Sequence, residues 1–451
     1  MAMNFLRLPP EIIAFSETLR QAGKQCYIVG GAVRDGLLGR PVSDYDAATD
    51  ALPEEVMRLF KRVLPTGIKH GTVTVLWKGR SIETTTFRRE IGYADARRPD
   101  RVELGASLEE DLARRDFTIN AMAYDPITHR LEDPMGGRED LKKSLVRAVG
   151  DPAERFGEDG LRPLRALRFA AQLGFEIEPA TLAAIPGTLD RFLLVSAERI
   201  RDEFSKILLS PRPSRGLELM EKTGMLGAVL PELSAARGVE QKGFHRFDVL
   251  DHLFLATDAT PPDIVLRLSA LFHDAGKPET KLVGTDGIAS FHRHEELSGT
   301  MAEAALKRLK FPNATIDAVA HLVRQHMFFY DETWTDAAVR RFVARVGEDS
   351  IEPLFALRLA DGTAMTGIPV DPRSLEPFRR RIEVVLAQSR ALGVKDLAIG
   401  GEDLAGLGIP RGPEMGKMLF ALLETVLDDP GQNTKEQLCV IAKRMWKRSG
   451  G

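Results

Sequence analysis

The run Cys26-Tyr27-Ile28-Val29-Gly30-Gly31-Ala32-Val33-Arg34-Asp35, closed by Asp44-Tyr45-Asp46, decides how this chain folds. Cys26–Val29 is a short apolar strand ended by Gly30-Gly31, and Ala32–Leu38 fits a short helix stopped by Gly39 and Pro41. A strand that turns through glycines into a helix leaves backbone N–H groups free, and the helix dipole there attracts phosphate. Arg34 lies one turn into the helix, within reach of the same phosphates. Side chains alternate along a strand, so Asp44 and Asp46 are expected on one face. Two carboxylates on one face can hold hard cations such as Mg²⁺, which bridge a triphosphate and activate a 3′-hydroxyl. Taken alone, Asp-x-Asp is more often a solvated turn, and Gly-Gly is as often a plain one. The two together, in this order, point to phosphate chemistry.

Outward from this stretch, strands and helices alternate. Pro53–Arg62 reads as a helix with proline at its first position and two acids behind it. Thr72–Trp77 and Arg80–Phe87 flank Lys78-Gly79 as a β-hairpin. Glu83, in its second strand, is either a third carboxylate facing the pair or simply exposed. Arg88–Arg101 reads as a mobile loop, and Leu108–Asn120 as a helix. From Asp151 the strand signal fades. Helices are expected at Glu158–Leu173, Ala197–Leu209, Ser214–Thr223, Ile264–Phe272, Glu295–Lys310, Ile316–Met327, Leu375–Ala391 and Met415–Leu427. The architecture is a small α/β head followed by a long helical body.

At 451 residues the chain exceeds one compact core. Its net charge of −3 argues against a generic nucleic-acid coat protein. Two local basic stripes exist, Arg162, Arg165 and Arg168, and Lys443, Arg444, Lys447 and Arg448; either is a partner surface or a solvated face. The two cysteines, Cys26 and Cys439, make no disulfide framework and no zinc spacing, which suits a reducing compartment. No apolar run approaches the roughly 18 residues of a membrane span, and the N-terminus has no signal-peptide architecture, so a cytoplasmic location is expected. Oligomeric state is not written in the sequence.

Val29-Gly30-Gly31-Ala32-Val33-Arg34-Asp35 and Asp44-Tyr45-Asp46 resemble the signature of the tRNA nucleotidyltransferase and poly(A) polymerase family of the polymerase-β superfamily, in its class II form. The resemblance continues through Glu83-Thr84-Thr85-Thr86-Phe87-Arg88, Leu112-Ala113-Arg114-Arg115-Asp116-Phe117-Thr118-Ile119-Asn120-Ala121, Glu158-Asp159-Gly160-Leu161-Arg162 and Arg165-Ala166-Leu167-Arg168-Phe169-Ala170. It implies an α/β nucleotidyltransferase head with a mixed sheet (1–150), a helical neck completing the nucleotide pocket (151–235), a helical domain (236–370) and a helical tRNA-binding tail (371–451). It implies that Asp44 and Asp46 bind Mg²⁺ and that Gly31, Arg34, Arg115, Arg165 and Arg168 contact nucleotide. Asp116 would orient an arginine. The loop at 88–101, full length here, goes with enzymes that add A.

The resemblance also implies that Asp159 and Arg162 replace a template. Three apart on one helix, they are expected to share a face. Cytosine and adenine each offer an exocyclic amino donor beside a ring-nitrogen acceptor, which Asp159 can accept from and Arg162 can donate to. Uracil and guanine present the reverse and leave both groups mispaired. The alternative for this stretch is an i,i+3 salt bridge on an exposed helix.

His252, His273-Asp274 and Asp361 resemble the His…His-Asp…Asp signature of the HD phosphohydrolase superfamily. His294 and His326 can complete a two-metal version, His292 is expected at the surface, and His321 either joins them or packs on its helix. Imidazole with carboxylate suits a divalent metal, and the implied chemistry is phosphomonoester or 2′,3′-cyclic phosphodiester hydrolysis. Ile399-Gly400-Gly401-Glu402-Asp403-Leu404 and Leu407–Gly416 resemble the tail of bacterial CCA-adding enzymes, with glycine N–H groups that can grip RNA phosphates. The expected function is template-independent addition of C and/or A, read as CCA with CC alone or A alone left open, to the 3′ end of tRNA from CTP and ATP, with the acceptor arm bound by shape. The rivals are an A-adding specialist or poly(A) polymerase, an HD phosphohydrolase with a nucleotide-binding head, and a non-catalytic RNA-binding protein.

Overall fold

The computed structural model describes residues 6–92, 101–241, 246–285, 289–388 and 391–448. The chain forms two compact units, Met1–Ala235 with Ala305–Phe311, and Ala236–Ala304 with Pro312–Gly451.

The first unit is built on a seven-stranded mixed sheet. Its strands are β1 (Cys26–Val29), β2 (Asp46–Thr49), β3 (Val63–Gly67), β4 (Thr72–Trp77), β5 (Arg80–Thr86), β8 (Ala123–Tyr124) and β9 (Leu131–Glu132), in the order β3-β4-β5-β2-β1-β8-β9. Two further strands, β6 (Arg88–Ile91) and β7 (Arg101–Leu104), pair as a separate ribbon. The β4–β5 turn needs two left-handed residues, and Lys78 (φ 44°) and Gly79 (φ 83°) supply them. β2 runs antiparallel to β1 and parallel to β5, so Asp46 lies opposite Val29 and beside Glu83. Val29, Ala48, Phe87, Leu112, Ala121 and Ala123 form the core at this point.

Several sequence expectations need correction. The helix at Pro53 ends at Leu59, not Arg62. Phe60 turns extended (φ −117°, ψ 134°) and buries its ring against Phe15 at 4.8 Å and Trp77 at 5.3 Å. The chain then makes β3, unforeseen because of Pro65; β3 is a sheet-edge strand, where proline is tolerated. Arg88 and Arg101 belong to the ribbon rather than to a loop, and the middle of the expected mobile loop, 93–100, lies outside the described residues. The helix expected over Leu108–Asn120 stops at Ala113. Asp116–Thr118 instead pairs its backbone with Arg147–Val149, through Thr118 N–H to Arg147 O (2.9 Å) and Val149 N–H to Asp116 O (3.1 Å). Glu158–Leu173 is two helices, Pro152–Glu158 and Arg162–Leu173. Pro163 forces the break, because in a continuous helix its ring meets the carbonyl of Asp159.

The second unit is helical, with one small ribbon, Lys281–Val283 with Ala289–Phe291. The helices Val249–Ala259, Asp336–Val346 and Ile351–Thr366, which periodicity had not marked out, join those that it had. Phe328, Phe342, Phe355 and Phe378 fill one core, with Tyr330 stacked on Phe378 at 4.0 Å. Leu404, Leu422, Val426 and Leu438 fill another among the last helices. The buried Arg340 joins them by donating to the C-terminal carbonyls of Leu427 (2.6 Å) and Asp428 (3.1 Å), the unpaired acceptors of helix Pro413–Asp428. Among the described residues no helix is long and apolar enough to cross a membrane.

Candidate active site

The Gly30 turn sets the head's geometry. Gly30 has φ 69° and ψ −134°, a region open to glycine alone, and a Cβ there would sit 3.4 Å from Arg115 Nη1 and 3.9 Å from Asp46 Oδ2. The turn therefore brings backbone, carboxylate and guanidinium together. Asp44 and Asp46 are exposed and Tyr45 between them is buried, the expected alternation. β2, however, begins at Asp46, so Asp44 precedes the strand and takes the Ser43 hydroxyl at 2.8 Å. Glu83 is Asp46's register partner on β5 and is likewise exposed. The Asp46 carboxyl is pushed above the usual carboxylate value, by desolvation first and then by the negative charge of Glu83; Arg115 opposes this and Asp44 adds to it. Three hard oxygen donors that repel one another fit a divalent cation.

Arginines frame the carboxylates. Arg34 bonds Asn120 Oδ1 at 2.8 Å and Asp35, and its guanidinium lies 5.1 Å from the Phe169 ring. Arg165 and Arg168 gather on the same ring at 5.5 Å and 3.9 Å. Arg165 pairs with Asp116 at 2.6 Å, the arginine-orienting contact expected of that aspartate, and Arg168 with the buried Glu203 at 2.5 Å. Burial pushes the Asp116 carboxyl up, but Arg165, Asn120 and Arg162 outweigh it and hold it at about 2. Burial among arginines lowers the Arg168 guanidinium to about 10 despite Glu203. This stripe is a buried, paired network and not a solvated face. Arg115 bonds Asp111 at 3.3 Å, and among the described residues its buried Nε has no hydrogen-bond partner. Gly31 lies beneath Arg34, whose Nη2 is 3.6 Å from where a Cβ would be.

Asp159 and Arg162 do not share a helix face. Asp159 is extended (φ −134°, ψ 110°) between the two helices, and Arg162 opens the second. Asp159 pairs with Arg199 at 2.7 Å. Arg162 bonds Glu158 and donates to the carbonyls of Arg155 (2.9 Å) and Arg114 (3.2 Å). Sequence reasoning missed Arg199 and Glu203. The acid–base spacing within Ala197–Leu208 was their only signal.

Residues 26–147 match the family model described as the poly A polymerase head domain, and residues 284–442 match one for domain 2 of tRNA nucleotidyltransferases. The chain is 48% identical over 431 residues to the CCA-adding enzyme of Anoxybacillus flavithermus, covering 95% of each. It belongs to the CCA-adding enzyme family. It is 35% identical over 436 residues to the enzyme of Geobacillus stearothermophilus, covering 95% of this chain and 96% of that one. Among solved structures, it matches the Bacillus stearothermophilus CCA-adding enzyme in complex with CTP with a TM-score of 0.72 at 30% identity, covering 98% of this chain and 99% of that one. The Thermotoga maritima CCA-adding enzyme complexed with tRNA shares the fold, with a TM-score of 0.58 at 19% identity, covering 98% and 97%. As a member of this family the chain is a nucleotidyltransferase, a class that works with divalent metal.

This CCA-adding enzyme family member also carries a second cluster, in its helical unit. His252 comes from Val249–Ala259, His273-Asp274 from the end of Ile264–Phe272, His294 from the start of His294–Arg308, His326 from the end of Asn313–Gln325 and Asp361 from Ile351–Thr366. Two ligand triplets converge within 4.8 Å, His252 with His273 and Asp274, and Asp274 with His294 and His326. Asp361 Oδ1 lies 3.3 Å from His252 Nε2 and 3.6 Å from His273 Nε2. His273, His294 and His326 turn Nδ1 to the carbonyls of Ala270, Phe291 and Val323 at 2.7–2.8 Å, which leaves Nε2 for a metal. Burial alone would raise the Asp274 carboxyl, yet Lys277 at 2.5 Å and His273 hold it well below the usual range. Lys277, unassigned from sequence, is buried and also donates to Gln241. His292 is exposed, as expected, and His321 bonds at 2.6 Å the carbonyl of Val346, which belongs to another helix, Asp336–Val346. Among the described residues the head carboxylates do not converge as tightly as these triplets. In the tail, the Gly400 N–H expected to grip phosphate donates to Asp403 at 3.0 Å instead.

Proposed function

We propose that this chain adds C and A, as the sequence CCA, to the 3′ end of tRNA from CTP and ATP in the cytoplasm, releasing pyrophosphate and using no template. The observation that carries the reading is the juxtaposition of Asp46, Glu83 and Arg115 around the Gly30 turn, in a chain that belongs to the CCA-adding enzymes. Asp44 and Asp46 hold Mg²⁺, with Glu83 beside them. The cation, when bound, neutralises triphosphate charge and lowers the pKa of the attacking 3′-hydroxyl. Gly31, Arg34, Arg115, Arg165 and Arg168 bind nucleotide, with Arg165 and Arg168 preorganised by Asp116 and Glu203, Arg34 by the Phe169 ring and Arg115 by Asp111. Asp159 accepts from the exocyclic amino group shared by C and A, and Arg162 donates to the neighbouring ring nitrogen. Of the five N–H donors of Arg162, three are given to Glu158 and to the carbonyls of Arg155 and Arg114 among the described residues, so the base can be met by the remaining ones. The helical domain (236–370) and the tail (371–451) bind the acceptor arm.

Asp46→Ala tests this reading. It is expected to abolish nucleotide addition and leave the thermal midpoint unchanged; retained addition would overturn the assignment. The six-residue His/Asp cluster favours a second, accessory activity, hydrolysis of a phosphomonoester or 2′,3′-cyclic phosphate with a divalent metal at the paired triplets. Phosphate release that persists in Asp46→Ala and disappears in His273→Ala would support it.

A further inference from the structure

Asp159 is gripped at both oxygens. Oδ1 accepts the Leu161 N–H at 3.1 Å, and Oδ2 accepts from Arg199 Nη2 at 2.7 Å. The grip follows from local packing. Gly160 presses so closely on the 191–192 backbone that a Cβ would collide with the Arg191 carbonyl oxygen. That segment leads into helix Ala197–Leu208, whose first turn presents Arg199 to the extended Asp159. Among the described residues Nη2 is the Arg199 nitrogen that makes this bond, and the buried Nη1 has no hydrogen-bond partner.

We infer that Arg199 is the positioning residue for base selection. It fixes the carboxylate of Asp159 so that the remaining acceptor lone pairs keep one direction. The inference rests on Asp159 reading the base, as proposed above. The torsion that turns an aspartate carboxylate is broad, and the Arg165 guanidinium on the adjoining helix attracts it. Selecting an amino donor over a carbonyl oxygen requires an acceptor that does not turn. The fork of Arg199 supplies that restraint, which a lysine's point charge supplies only in part.

The test compares Arg199→Gln, Arg199→Lys, Asp159→Ala and the Gln/Ala double variant in the full chain. Steady-state kinetics would use CTP, ATP, UTP and GTP on tRNA transcripts, with thermal midpoints measured in parallel. Arg199→Gln is expected to lower the ratio of kcat/KM for CTP over UTP by about tenfold or more, the scale of one mispaired buried group. Most of that loss is expected in KM for the cognate nucleotide. Arg199→Lys should recover part of it, and the double variant should be no less selective than Asp159→Ala, because both act through one carboxylate. Arg199→Gln with wild-type selectivity beside an unselective Asp159→Ala would overturn the inference and leave the base reader standing. If Asp159→Ala itself kept selectivity, the base reader would fall and the role of Arg199 with it. Should Arg199→Gln unfold, the lysine variant decides: selectivity equal to wild type contradicts the inference, and intermediate selectivity with raised KM supports it.

Discussion

At the residue scale, burial and charge set what each group can do. Asp116 is the clearest case, with its carboxyl held at about 2 by Arg165, Asn120 and Arg162 against the pull of burial. A depressed carboxyl stabilises the fold above its unfolded pKa and loses that contribution as pH falls through its folded value. The depression from the ordinary 3.8 is worth about 2 kcal/mol. Asp116→Asn should therefore lower the unfolding free energy by about 2 kcal/mol or more at pH 7, since it also strips Arg165 of its partner. The gap between variant and wild type should narrow as pH falls from about 4 toward 2, where the wild-type carboxylate is lost. Denaturant titrations across that range would show it. Asp46 shifts the other way and keeps its proton to higher pH. Proton and Mg²⁺ then compete for it, so at limiting Mg²⁺ nucleotide addition should fall on mild acidification, and added Mg²⁺ should move that limb to lower pH. A limb that ignores Mg²⁺ would separate Asp46 from the metal.

At the scale of elements, the Gly30 turn bears the most constraint. Gly30→Ala places a side chain in a glycine-only conformation against Arg115 and Asp46, and should destabilise the head by about 1–3 kcal/mol while weakening nucleotide binding. Thermal unfolding and CTP titration would measure both. This turn was legible from sequence because glycine, arginine and paired acids each carry local meaning. The β4–β5 hairpin was legible too, since Lys78-Gly79 is a turn signal in itself. The breaks within Leu108–Asn120 and Glu158–Leu173 were missed for opposite reasons. The first is tertiary, because Asp116–Thr118 leaves the helix to pair with Arg147–Val149, partners that lie far along the chain. The second was written locally in Gly160 and Pro163, and helical periodicity masked it. The shared helix face expected of Asp159 and Arg162 was an artefact of that masked break. The acid–base spacing around Arg199 did not point to Asp159, because only the fold brings residues 40 positions apart together.

At the scale of the molecule, two units carry two separate constellations, one of carboxylates and arginines, the other of histidines and aspartates. Their chemistry should separate by mutation. His273→Ala is expected to reduce the binding of Mn²⁺ or Ni²⁺ in calorimetry and to leave nucleotide addition near wild type, whereas Asp46→Ala should do the reverse. Loss of both activities in one variant would argue against independent sites. The central claim is the reaction itself. Purified chain with Mg²⁺ would be given tRNA transcripts ending at the discriminator base, after one C and after CC, with CTP, ATP or both, and products sized to single nucleotides. Growth from the bare discriminator end that stops at CCA is the expected result. Addition of A alone to the CC end, unlimited A-tailing, or no growth on any end would contradict it.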